Sequence, residues 1–194
     1  STDILDWMHS NAFYFDEDEY SIYMSHRHLS RITKFSYPEG QVEWVMGLPC
    51  PYMSTCEENI CSELNFSFQH HISVLENGNL LFFDNGNIRP RSIHHSRAIE
   101  YDVNTKEVIW SYVDDMPAAF FSPYMGSVQR LWNGNTFICE SAYGRLFEVT
   151  PEGDVVWEYV IPDFAEYLWI LPPKAHSCLL SYRPIGRYGS QRGS

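Results

Sequence analysis

A chain of 194 residues, 44 % hydrophobic and 20 % charged, has room for one globular domain with a sizeable core. Its net charge of -12 excludes nucleic acid and anionic membrane as main partners, since no phosphate backbone would be neutralised. No apolar run approaches the roughly 20 residues that span a bilayer, but a small anionic ligand stays possible, because basic residues inside a cavity override the global sign locally.

Aromatic residues make up 16 % of the chain, and aromatic and β-branched enrichment favours strands. The first residue is Ser1, with no signal-peptide pattern behind it, so the numbering is expected to begin inside a longer precursor. Four strands are predicted first, at Ala12 to Phe15, Tyr20 to His26, Ser30 to Ser36 and Gln41 to Met46. The acidic run Asp16, Glu17, Asp18 and Glu19 reads as a solvated hairpin tip, and Pro38-Glu39-Gly40 as a second turn.

The segment from Gly47 to Asn65 has no regular periodicity and holds Cys50, Cys56 and Cys61. Their spacing fits no familiar zinc pattern, so the expected use is a disulfide within the loop, which implies an oxidising compartment. Free thiols in a cytosolic loop are the rival reading.

The central stretch, Phe66 to Asn87, opens on His70 and His71 and turns at Asn77-Gly78 between two apolar runs. Asn-Gly in that setting predicts a hairpin with a type I′ turn, both residues taking positive φ. Strand alternation predicts that His70 and His71 face opposite ways, His71 packing into the sheet. Strands follow near His71 to Leu75, Asn79 to Asn85, Arg97 to Asp102 and Glu107 to Val113. A third set is predicted at Val128 to Leu131, Asn135 to Glu140, Arg145 to Val149 and Asp154 to Val160.

Superimposed, the three sets share one order. The closing phrases VEWVM, VIWSYV and VVWEYV put Trp44, Trp110 and Trp157 in one position, after turns of matching type. A repeat of about 35 to 45 residues with four strands per unit is the signature of β-propeller blades. The predicted fold is therefore all-β, with blades at about 9–46, 70–113 and 126–160 within a propeller portion 1–186. The tail 187–194 reads as weakly ordered and as a candidate for added, non-native sequence. Closed propellers have about four to eight blades, so further blades are expected to cover the apolar sheet faces, from the same precursor or from a second chain.

The segments DWMHSNAF, SHRHLSRITKF, SELNFSFQHHISVLENGNLLFFDNGN, SRAIEYDV, GSVQRLWNGNTFI and EVTPEGDVVWEYV resemble the PAPS-independent, propeller-type (ASST-like) arylsulfotransferases. The resemblance runs from Asp6 to about Gly186 and aligns the chain with the C-terminal half of a six-bladed propeller. It implies transfer of a sulfuryl group between phenolic compounds, from a phenolic sulfate donor to a phenol acceptor, through a transiently sulfated histidine. It implies no cofactor, and an extracytoplasmic location, periplasmic or secreted.

The residue types suit that chemistry. Sulfuryl oxygens need cationic or donor groups around them, and histidine serves as nucleophile or proton carrier near neutral pH. Matched by motif, the resemblance implies His9, His70 and Arg97 as catalytic residues, and Asn11, Arg27 and His28 as substrate-binding ones. The three catalytic side chains are expected to converge on one anion. The third unit opens on Gly126-Ser127-Val128-Gln129, without a histidine. Which histidine is sulfated is therefore open, with His94, His95 and His176 as alternatives. A metal site is not expected, since His26 and His28 form the only same-face pair on a strand. The rival to an enzyme is a non-catalytic propeller module for binding or assembly.

Overall fold

Apolar residues at every second position, cut by Asn-Gly and Pro-Glu-Gly turns, leave this chain little choice but short strands joined by hairpins. The computed structural model describes residues 6–47, 59–88 and 94–162. Among them it forms three antiparallel meanders, each sheet in sequence order. The first holds β1 (Ser10–Asp16), β2 (Ser21–His26), β3 (Arg31–Ser36) and β4 (Val42–Gly47). The second holds β6 (His70–Val74), β7 (Leu80–Asp84), β8 (Arg97–Asp102) and β9 (Glu107–Tyr112). The third holds β10 (Ser127–Arg130), β11 (Thr136–Glu140), β12 (Arg145–Val149) and β13 (Val155–Val160). All lie in one compact unit, Ser1–Ile161; a second begins at Pro162, and its other residues are not described.

These are β-propeller blades. Their inner strands lie side by side, β1 against β6 and β10 against β6 and β7. The closing tryptophans are equivalent: Trp44 stands opposite Lys34, Trp110 opposite Glu100 and Trp157 opposite Glu148. A register shift follows that pair in every blade.

The turn type differs from the expected type I′. Gly78 is left-handed (φ 83) and Asn77 is not. The Gly78 N–H donates to Leu75 O at 2.8 Å, and the Leu75 N–H to Asn79 O at 2.9 Å, which is a turn closed by a glycine bulge. Gly134 and Gly153 close the same turn in the third blade. One extra loop residue makes the difference, since only the glycine then needs a positive φ.

The Gly47–Asn65 segment also departs from the expectation of an irregular loop. Strand β5 (Asn59–Ile60) pairs parallel with β4, and a 3-10 turn follows at Ser62–Leu64. Cys61 is a buried free thiol, its pKa raised by burial, so it does not take part in the predicted disulfide. Cys50 and Cys56 lie outside the described residues. Among those residues no helix is long and apolar enough to cross a membrane.

The core sits between blades, and β7 serves both of its halves. Leu80 and Phe82 point into a cluster with Tyr23, Ile32, Met46, Phe66 and Ile72 of the first and second sheets. Leu81 and Phe83 point the other way, into a cluster with Phe120, Val128, Ile138 and Phe147. All five residues of β7 are buried, which explains its continuous apolar run. Each such side chain contributes about 1.5–3 kcal/mol of apolar burial. The outward faces of the end blades are bare: Phe13 of β1 is 72 % exposed and Trp157 of β13 is 42 % exposed.

Candidate functional site

The inner strands begin on one end of the sheets, and two buried amides tie them together there. Gln69, fully buried just before β6, donates through Nε2 to Ser25 Oγ (3.0 Å), His26 O (3.2 Å) and Arg31 O (2.9 Å). Its backbone carbonyl accepts from Asn11 Nδ2 at 2.8 Å, so Gln69 fastens the second blade to the first. Asn85, fully buried just after β7, fastens the second to the third, donating through Nδ2 to Ser122 O (2.6 Å) and Met125 O (2.7 Å). Gly126 lets the third strand set approach that closely, because a Cβ there would meet the Phe83 ring at 2.6 Å.

Three histidines line this end, and each has its Nδ1 committed to an acceptor. His9 donates through Nδ1 to the Asp6 carboxylate, and its backbone N–H reaches Asp6 Oδ1 at 3.0 Å. This pairing holds the Asp6 carboxyl below the ordinary carboxylate range. His28 donates through Nδ1 to Asp6 O at 2.8 Å, and its ring lies 4.8 Å from that of His9. The two histidines sit on neighbouring chains laced by backbone bonds, Arg27 N–H to His9 O and His28 N–H to Met8 O, both 3.0 Å.

His70 donates through Nδ1 to Asn85 Oδ1 at 2.8 Å and to Phe68 O at 3.1 Å. The Asn85 amide cannot be reversed, because its nitrogen already faces two carbonyls. The Nδ1 of His70 must therefore carry the proton, leaving Nε2 with the lone pair. Burial pushes the His70 pKa down, the Asn85 hydrogen bond opposes this, and the charges of Arg27 and His9 add to the lowering.

Arg27 completes the group. Its guanidinium lies 4.5 Å from the centre of the Phe68 ring and donates to Pro123 O at 3.2 Å. Pro123 O also accepts from Asn87 Nδ2 at 3.1 Å, so residues from all three blades meet at this point.

The family model for arylsulfotransferase (ASST) matches residues 1–164. The chain belongs to the arylsulfotransferase family. No curated protein matches it. Among solved structures it is similar to a Bacteroides caccae protein of unknown function, with 14 % identity and TM-score 0.52, covering 80 % of this chain and 47 % of that one. It is also similar to a streptogramin B lyase, with 15 % identity and TM-score 0.50, over 79 % of this chain and 41 % of that one. The WD40 β-propeller domain of Doa1 aligns with TM-score 0.49 and 12 % identity, over 77 % and 39 % of the two chains. The chain thus spans less than half the length of the solved structures it matches.

Of the residues singled out from this arylsulfotransferase-family sequence, the structure gathers His9, His28, Arg27 and His70. Asn11 spends its amide nitrogen on Gln69 and serves as a blade tie. Arg97 is engaged within its own blade. It pairs with the fully buried Asp84 at 2.7 Å and donates to Leu64 O at 3.1 Å. The arrangement recurs one blade on, where Arg145 stands across from Glu140 as Arg97 does from Asp84. A device repeated at two blades reads as architecture.

Plain alternation is interrupted at His71. A register shift between His70 and Ile72 makes His71 the extra, left-handed residue (φ 55), half-buried and with its pKa lowered by burial. The same kind of shift follows Ser10, so His9 stands one residue before the counterpart of His70. His26 turns inward onto Ser10 Oγ at 2.8 Å and does not join His28. His94 stacks on Phe121, and His176 lies outside the described residues. Sequence reading missed Asp6, Phe68 and Asn85. Asp6 stands three before His9 in DWMH, a spacing that brings a carboxylate to a ring nitrogen.

Proposed function

We propose that this chain carries the sulfuryl-handling part of an aryl sulfotransferase, which moves a sulfuryl group from an aryl sulfate to a phenol through sulfated His70. The observation that supports this most is the fixed Nδ1–H of His70, which leaves the Nε2 lone pair as nucleophile, while Arg27 lies against the ring of Phe68, whose carbonyl His70 also contacts. In the first half-reaction a bond forms between His70 Nε2 and sulfur as the sulfur–aryloxygen bond breaks. His9, oriented by Asp6, gives a proton to the departing phenolic oxygen. In the second, the acceptor phenol loses its proton to His9 and its oxygen attacks sulfur. The N–S bond breaks and His70 recovers its lone pair. Arg27 faces the negative non-bridging oxygens, and Phe68 and the His28 ring offer flat surfaces to the aryl group. In this reading the protein works outside the cytoplasm and is completed by further blades.

The second reading is a binding module without turnover. It is favoured by Ser127 at the third blade's inner-strand start, where the second blade has His70. Transfer of sulfate from 4-nitrophenyl sulfate to phenol decides between them. Release of 4-nitrophenol that depends on His70 and Arg27 supports the enzyme, and binding of the aryl sulfate without release supports the module.

A further inference from the structure

One ion pair marks the junction between the second and third blades. Arg130 of β10 donates to Glu100 Oε2 of β8 at 2.7 Å, and its guanidinium lies 4.9 Å from the centre of the Trp110 ring. Asn77 and Asn79 hold the other oxygen of that carboxylate, at 3.1 and 2.7 Å. The third blade builds the same receptor on its outward face. Glu148 stands opposite Trp157 as Glu100 does opposite Trp110, and Asn133 and Asn135 donate to Glu148 Oε1 at 3.2 and 2.6 Å. Glu148 Oε2, the counterpart of the atom that Arg130 reaches, has no partner among the described residues. Around it lie Phe137, Cys139, Leu146 and Tyr159, on the face opposite to Ile138 and Phe147, which pack on the second blade.

We propose that this face is the docking surface for a further β-blade whose inner strand presents an arginine, which pairs with Glu148 and lies over Trp157. Charge decides the occupant. At the first junction the closing Trp44 stands opposite Lys34, which pairs with Glu19 and Glu43 of its own blade, and the second blade's inner strand offers Val74. Carboxylate and arginine therefore occur together and are replaced together. A second copy of this chain does not fit, because its first blade has Phe15 at the place of Arg130. Phe15 pairs with Ile22, four residues before His26, as Arg130 pairs with Thr136, four before Glu140. Covering Glu148 with Phe15 would bury a carboxylate without a cation. The inference rests on the blade repeat and stands whether or not the chain transfers sulfate.

The test extends the full chain at Ser194, through a flexible Gly-Ser linker, by a second copy of its residues 113–161, the unit that carries Arg130. The copy carries Cys139→Ser, so that mass spectrometry distinguishes the original Cys139, whose alkylation rate reports cover over the face. The extension should slow that labelling roughly tenfold or more. The protection should disappear with Arg130→Glu in the copy or Glu148→Lys in the original chain, and return when the two reversals are combined. Circular dichroism of each variant separates loss of docking from loss of the fold. No protection in the folded extended chain, or protection indifferent to both reversals, would overturn the proposal. So would equally slow labelling in the unextended chain, since residues 163–194 or a second copy would then cover the face.

Discussion

His70 Nδ1 lies 2.8 Å from Asn85 Oδ1, and Asn85 in turn spans from the second blade to two carbonyls of the third. One buried amide thus fixes both a blade junction and the tautomer of the candidate nucleophile. Asn85→Ala is expected to cost about 2–4 kcal/mol, because it leaves Ser122 O and Met125 O without a donor. Nitrogen NMR of the wild-type chain should show His70 as the Nδ1–H tautomer. In Asn85→Ala only Phe68 O, at 3.1 Å, still holds the Nδ1–H, and the share of the Nε2–H form should rise.

The two arginines should part company on mutation. Arg27→Ala removes the cation next to His70, and turnover is expected to fall about a hundredfold or more with a stability change near 1 kcal/mol. Arg97→Ala removes the cation facing the buried Asp84 carboxylate and is expected to cost about 3–5 kcal/mol in chemical denaturation. Equal losses of activity at equal stability would put Arg97 back among the anion-binding residues.

Burial pushes the Glu140 pKa up to about 7 from its ordinary 4.5, against the pull of Arg145. A carboxyl raised in the folded state favours folding most while protonated, below its unfolded value. The advantage is lost as pH rises through the folded value. Stability should therefore decline between about pH 4.5 and 7. Glu140→Gln should flatten this part of the profile, which thermal melts across the range will show.

Much of the fold was legible in the sequence because its punctuation is strong. The turns and the closing Trp44, Trp110 and Trp157 carry the same local physics three times. Strand β5 was not legible, since a two-residue parallel pairing leaves no periodic trace. The site was half legible. Motifs pointed to His9, His70, Arg27 and His28, but single-residue bulges reset which way a side chain faces. That is why alternation is interrupted at His71 and why His9 and His70 are one residue out of step. The ion pair of Arg97 was not legible because its partner, Asp84, sits across a ladder that only the folded register reveals.

His70 must be neutral to attack sulfur. Its pKa is lowered from 6.5, so the acid limb of the kcat/KM profile should fall below pH 6.5. Activity would persist through mildly acidic pH and disappear only as His70 takes up a proton. A limb above 6.5 would point to another group.

The sulfated residue itself gives the most direct test. The chain is mixed with 4-nitrophenyl sulfate without an acceptor, quenched, digested under alkaline conditions that preserve N-sulfo groups, and mapped by mass spectrometry. The account predicts one sulfo group on the peptide containing His70, chased off by added phenol and absent in His70→Asn. Sulfation at His9, His28 or any other residue, or no covalent adduct while the aryl sulfate binds, would contradict it.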